Sequence, residues 1–112
     1  MKDLEGYILK NTQLKGVYFL LFPSEKENFF EAKYFSKDEL ALKSKKELPL
    51  KRIKERLKKG IYKTLIVDEL EKLKSILHGK KLEKFKEIFG VKKFKLKTEY
   101  RDYFFFWNEL KN

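Results

Sequence analysis

Val17-Tyr18-Phe19-Leu20-Leu21-Phe22 is an unbroken apolar run, and it decides the fold of this chain. The run is too short for a helix of its own, and its residue types favour extended backbone. Successive side chains of a strand point to opposite sides of a sheet, so a run that is apolar at every position predicts a strand covered on both faces.

A hairpin extends outward from this strand. Residues 23–28 are polar and contain a proline, which is typical of a turn. Phe29 to Phe35 is then the second arm of the hairpin. Tyr7-Ile8-Leu9 predicts a further short strand upstream.

Two helices are predicted after the hairpin. Ser36 and Glu39 have the spacing of a capping box, which predicts a short helix to about Lys46. Pro49 suits the first turn of a second helix, and Gly60 suits its end. The apolar stripe of this second helix is narrow and consists of Leu50, Ile53 and Leu57.

A strand and two more helices follow. Residues 61–67 predict a buried strand, and Asp68 and Glu71 form a second capping box. One apolar stripe ends near Gly79 and another near Gly90. Because the two stripes are out of phase, Gly79 is expected to break or kink the chain.

The C-terminal part predicts two strands. Lys93 to Lys97 alternates between lysine and apolar residues, so Lys93, Lys95 and Lys97 share one face of a half-exposed strand. Residues 100–102 predict a turn, and Tyr103 to Trp107 predicts a final aromatic strand.

Together these elements predict an α+β fold: a single domain over residues 1–112. The sheet is expected to be mixed and mostly antiparallel, with about five strands and with helices mainly on one face. A chain of 112 residues without cysteine has neither disulfides nor thiolate metal sites. Its Lys-rich composition, poor in thermolabile residues, is similar to that of thermophilic proteins.

The net charge of +11 is concentrated in two segments. Residues 43–63 contain ten Lys or Arg against two acidic residues, and residues 80–97 contain eight Lys against two. The three remaining stretches each have a net charge of −1. Such clustering is typical of a protein that meets a polyanion, although a charge run is also often a solvated face.

The leading functional interpretation is a small basic protein that contacts the phosphate backbone of DNA or RNA with little sequence specificity, and that is not an enzyme. Lysines act as point charges on phosphates, and few arginines are present to read bases. The residues predicted to bind nucleic acid are Lys51, Arg52, Lys54, Arg56, Lys58, Lys59, Lys93, Lys95 and Lys97.

A second interpretation is a protein-interaction or assembly subunit, with a protein partner or a homo-oligomer formed through the aromatic strand Tyr103–Trp107. Tyr100, Tyr103, Phe105 and Trp107 are also candidates for stacking on unpaired bases. Core packing is the alternative role for most of these rings.

A third interpretation comes from Glu31-Ala32-Lys33, whose outer two residues share a strand face. The segment Asn28–Tyr34 resembles the second half of the motif of PD-(D/E)XK nucleases. The resemblance implies that Glu31 holds Mg²⁺ and Lys33 orients the attacking water in phosphodiester hydrolysis. The preceding strand lacks the aspartate of the first half, and a cross-strand surface pair is the alternative.

No other cofactor or metal site is predicted. His78 is the only histidine, and its place before Gly79 favours a helix-capping role. The sequence has no apolar run of membrane-spanning length and no apolar signal core, so a cytoplasmic protein without a membrane partner is expected.

Overall fold

The computed structural model describes residues 5–90 and 93–96, and it describes side chains for residues 6–90. This part of the chain contains six strands and three helices. The strands are β1 Glu5–Asn11, β2 Val17–Pro23, β3 Phe29–Ser36, β4 Leu42–Pro49, β5 Tyr62–Thr64 and β6 Lys93–Leu96, and the helices are α1 Leu50–Lys58, α2 Val67–Ile76 and α3 Gly79–Phe89.

All six strands form one mixed sheet, which confirms the predicted α+β class. Strands β4, β3, β2 and β1 pair in that order, each antiparallel to the next. Two short strands share the far edge of β1. Strand β6 pairs in parallel with Glu5–Ile8, and β5 pairs antiparallel with Leu9–Asn11.

Strand β2 is buried on both faces, as the apolar run predicts. Phe19 and Leu21 lie on the face covered by α1, in a cluster with Ile53 and Leu57 of that helix. Tyr18, Leu20 and Phe22 lie on the opposite face, in a cluster with side chains of α2 and α3. We call these two sides the α1 face and the α2–α3 face.

The helices are therefore divided two to one between the faces. On the α2–α3 face, Leu73 of α2 and Phe85 and Phe89 of α3 are almost fully buried. On the α1 face, the helix leaves edge strand β4 and leads into β5, beyond the other side of β1. Helix α1 thus crosses the sheet between two strands that flank β1, β2 and β3.

The helix predicted for residues 36–46 is wrong, because this segment turns and then forms β4. Ser36 belongs to β3, and Leu40 has a left-handed backbone with φ of 57° that interrupts any helix. The apolar residues Leu40, Ala41 and Leu42 are consecutive, so they do not form the apolar stripe that a helix after this capping signal would bury. Residues 42–49 pair with β3 instead, so tertiary pairing overrides the local helix signal.

Helix α1 agrees with its prediction. It begins directly after Pro49, buries Ile53 and Leu57, and is followed by Gly60 with φ of 73°. The left-handed region is readily accessible to glycine, so the chain turns there at little cost. The amide of Ile61 then donates to the carbonyl of Arg56, which closes the turn before β5.

The predicted cap at Asp68 and Glu71 is displaced by two residues. Helix α2 begins at Val67, and the carboxylate of Glu69 accepts a hydrogen bond from the amide of Ile66 at 3.0 Å. Glu69 also accepts from Lys10 Nζ at 2.7 Å and from the Tyr18 hydroxyl at 3.2 Å. It therefore joins the start of α2 to strands β1 and β2.

Gly79 separates two helices, as predicted, but it begins α3 rather than ending α2. Helix α2 ends at Ile76, and His78 is the residue that precedes α3. His78 thus lies at the N-terminus of one helix instead of in the last turn of the other. Gly90, with φ of 67°, ends α3 as expected.

Two-sided burial of β2 predicts that both faces contribute equally to stability. Leu20 and Leu21 are both completely buried, on opposite faces. We expect Leu20→Ala and Leu21→Ala each to lower the free energy of unfolding by about 2–5 kcal/mol, measured by urea denaturation. Leu14→Ala, at a side chain 46% exposed, should change it by less than about 0.5 kcal/mol. Loss of stability in only one of the two buried variants would contradict this.

The Glu69 contacts predict a pH dependence. Burial opposes ionisation, but the bonds from Lys10 and Ile66 outweigh it and hold the pKa of Glu69 below its ordinary 4.5. A lowered pKa gives stability that is present above the unfolded value and is lost as pH falls through the folded one. Glu69→Gln should therefore cost about 1–2 kcal/mol at pH 7 and less at pH 3.

Urea denaturation at pH 7, 5 and 3 measures this change, with exposed Glu71→Gln as the control. An equal difference between wild type and Glu69→Gln at all three pH values would show that the carboxylate charge has no part in it.

Candidate nucleic-acid interface

The first basic segment is continuous along the chain, but Lys45 lies opposite Lys33 and therefore on the α2–α3 face. Edge strand β4 leads through Pro49 directly into α1, and residues 42–59 contain nine basic residues against the two acids Glu47 and Glu55. We define the β4–α1 surface by the other exposed basic side chains, which are Lys43, Lys46, Lys51, Arg52, Lys54, Lys58 and Lys59.

Helix α1 holds its cations outward because of its narrow apolar stripe. Ile53 and Leu57 are buried against the sheet and Leu50 packs beside them. The positions three and four residues from Glu55 lie on the opposite side of the helix, and all four are basic. The helix therefore presents a broad charged surface to solvent.

Arg56, predicted to bind nucleic acid, also makes a contact within the protein. Its guanidinium Nη1 donates to the hydroxyl of Tyr62 at 2.6 Å, and the group lies 5.3 Å from the centre of that ring. The Tyr62 hydroxyl is 3.3 Å from that of Tyr34. Burial and the hydrogen bond with Tyr62 raise the pKa of Tyr34, so the Tyr34 hydroxyl stays protonated. Arg56 is half-buried and thus fixes α1 to the sheet.

The remaining α1 cations differ in their partners. Lys59 forms an ion pair with Glu55 at 3.0 Å. Hydrogen bonding and attraction from Lys59 lower the pKa of Glu55. Within the described part of the chain, no carboxylate lies at ion-pair distance from Lys51, Arg52 or Lys58. These three exposed cations are the strongest candidates for phosphate contact.

The lysines of β4 are site candidates that the sequence reasoning missed. Residues 36–46 were predicted to be helical, so the position of these lysines at an edge of the described sheet, beside α1, was not expected. Lys46 lies opposite Ala32, a member of the α1-face cluster, so it shares the sheet face on which α1 packs. Lysines on an edge strand also oppose edge-to-edge pairing between molecules.

The second basic segment is divided between two places. Helix α3 carries Lys80, Lys81, Lys84 and Lys86 on the face of the sheet opposite to α1. Strand β6 follows, and its backbone register aligns Lys93 with Glu5 and Lys95 with Tyr7. The side chains of Lys93 and Lys95, and the whole of Lys97, lie outside the described structure.

Lys33 of the nuclease-like segment contacts α3. Its Nζ donates to the carbonyl of Phe89 at 2.8 Å, in the last turn of that helix, and lies 5.0 Å from the centre of the Phe22 ring. A cation at this end of a helix interacts favourably with the exposed carbonyls. Lys33 and Glu31 share a face of β3, as strand geometry requires. The amine of Lys33, however, points to the C-terminal end of α3.

Glu31 is half-buried and lies opposite Glu47 in the β3–β4 register. Among residues with described side chains, no three His, Cys, Asp or Glu groups converge as metal ligands would. Glu47 accepts a hydrogen bond from the hydroxyl of Ser24 at 3.1 Å.

The aromatic residues of the described part serve the core. Between residues 6 and 90 every aromatic side chain is buried except Phe29, which is half-buried beneath the amine of Lys26. The predicted stacking residues Tyr100, Tyr103, Phe105 and Trp107 lie outside the described residues, and so does the proposed docking strand.

Comparison of the chain with protein-family models, with curated proteins and with solved structures found no match. None of the helices in the described ranges combines the length and apolar character needed to span a bilayer.

The Lys33 contact predicts a structural effect. Lys33→Met keeps an apolar stem against Phe22 but removes the charged donor to Phe89, so we expect the free energy of unfolding to fall by about 1 kcal/mol. Chemical denaturation measures this, and Lys37→Met at a neighbouring exposed lysine is the control. A Lys33→Met protein as stable as the control would rule out a stabilising contact.

Proposed function

We propose that this protein binds the phosphate backbone of DNA or RNA through the β4–α1 surface, with little dependence on sequence. The proposal depends on one observation: α1 packs on the sheet through one side and exposes basic side chains on the other. Ile53, Leu57 and Arg56 hold α1 on the sheet, and Lys51, Arg52 and Lys58 are exposed on the rest of its surface.

The size of the surface fits a few consecutive phosphates. Helix α1 has nine residues and is therefore about 13 Å long. A duplex carries one charge per roughly 1.7 Å of its axis, so a helix of this length lies beside several phosphates. Lysine amines on flexible stems can follow such a backbone without a fixed geometry.

The distribution of side chains favours backbone contact over base reading. Arg52 is the only exposed arginine of the β4–α1 surface, and bidentate arginine contacts dominate specific base recognition. Between residues 6 and 90 all aromatic rings except half-buried Phe29 lie in the core, so this part of the chain is expected to contribute affinity through phosphate contact. Such binding is expected to be non-specific and strongly salt-dependent.

A direct test compares two variants with the same loss of charge. The first replaces Lys51, Arg52 and Lys58 of α1 with glutamine, and the matched control replaces Lys80, Lys81 and Lys84 of α3. Fluorescence anisotropy with a duplex of about 20 bp gives the dissociation constant between about 50 and 200 mM salt.

The α1 variant should bind at least about tenfold more weakly than wild type, and its log–log salt dependence should be shallower by up to about 2.7, or about 0.9 per lost phosphate contact. The α3 control should lose less affinity. Absence of wild-type binding at low salt would overturn the proposal, and equal losses in both variants would overturn the assignment to α1.

A further inference from the structure

One acidic residue occupies the centre of the basic surface of α1. Glu55 has Lys51 and Arg52 four and three residues before it, and Lys58 and Lys59 three and four residues after it. Residues at these spacings are neighbours on a helix surface. Glu55 is thus surrounded by four cations on the side of the helix that faces away from the sheet.

The contacts of Glu55 agree with this position. Its side chain is 57% exposed, and its Oε1 lies 3.0 Å from the amine of Lys59. Beyond the bond from Lys59, attraction from Lys51 and Arg52 also lowers its pKa, so the carboxylate stays charged. The anion therefore sits within reach of the same cations that a phosphate would use.

We propose that Glu55 occupies the place of a nucleic-acid phosphate on α1 and competes with it as a built-in anion. This inference rests on the proposed function and deepens it. An incoming phosphate must separate Lys59 from Glu55 and lie beside a carboxylate of like charge. Glu55 thereby weakens the binding of any polyanion and keeps non-specific binding reversible.

The substitution that tests this is Glu55→Gln, which preserves size and helix propensity while removing the charge. The control is Glu71→Gln, an exposed residue of α2 on the opposite side of the sheet, with the same change in net charge. Binding to the same duplex is measured by fluorescence anisotropy over the same salt range.

Glu55→Gln should bind about three- to tenfold more tightly than wild type, as expected for removing one like charge close to several phosphates. Its salt dependence should steepen by about 0.9, because Lys59 becomes free to neutralise one more phosphate. Glu71→Gln should change affinity by less than about twofold, since its charge is distant and screened.

A double-mutant cycle with Lys59 isolates the competition. Lys59→Gln should weaken binding little in wild type, where the amine is held by Glu55, and several-fold more in the Glu55→Gln background. If Glu55 acts only through net charge, Lys59→Gln should reduce affinity equally in wild type and in the Glu55→Gln background. That result would overturn the inference.

The remaining outcomes separate this inference from the proposed function. Wild-type binding with no difference between Glu55→Gln and Glu71→Gln would overturn the role of Glu55 alone. Binding by Glu55→Gln but not by wild type would overturn the proposed function, and with it the inference that Glu55 moderates the binding of the native protein. Absence of binding by either protein would overturn both the proposed function and this inference.

Discussion

The burial of β2 on both faces is the constraint from which the rest of the structure follows. A strand that is apolar on each side needs a packed layer above and below it. Within residues 5–90 and 93–96, one helix covers the α1 face, and α1 contributes Ile53 and Leu57, almost fully buried against the sheet. With so narrow a stripe in the core, most other positions of α1 lie in solvent. The basic surface of α1 is therefore broad because only a narrow side of the helix packs on the sheet.

The same constraint separates the positive charge of the molecule. Because helices must cover both faces, the lysines of α1 and those of α3 lie on opposite sides of the sheet. The two basic segments of the sequence thus do not merge through their helices into one face. The basic surface of the first segment is instead enlarged by lysines of β4, because this strand leads directly into α1. Within α1, Arg56 contacts Tyr62, Lys59 is paired with Glu55, and Lys51, Arg52 and Lys58 are exposed.

The elements that could be predicted from the sequence are those with a clear hydrophobic pattern or a glycine at their end. The run Val17–Phe22 predicted a two-sided strand, and Gly60 and Gly90 marked the ends of α1 and α3. It failed where long-range pairing decides the structure. Residues 36–46 carry a capping signal without an apolar stripe, so pairing with β3 determined the outcome. The anchoring of Arg56 by Tyr62 depends on how α1 crosses the sheet, and spacing along the chain contains no information about that contact.

The most direct test of the account is to map which lysines a nucleic acid protects. Chemical acetylation of the protein, alone and with saturating duplex, followed by mass spectrometry, reports the reactivity of each amine. The account predicts protection of Lys51 and Lys58 on α1 and of Lys46 on β4, with the lysines of α3 remaining reactive. Protection confined to α3, or no protection of the β4–α1 surface while duplex is bound, would contradict it.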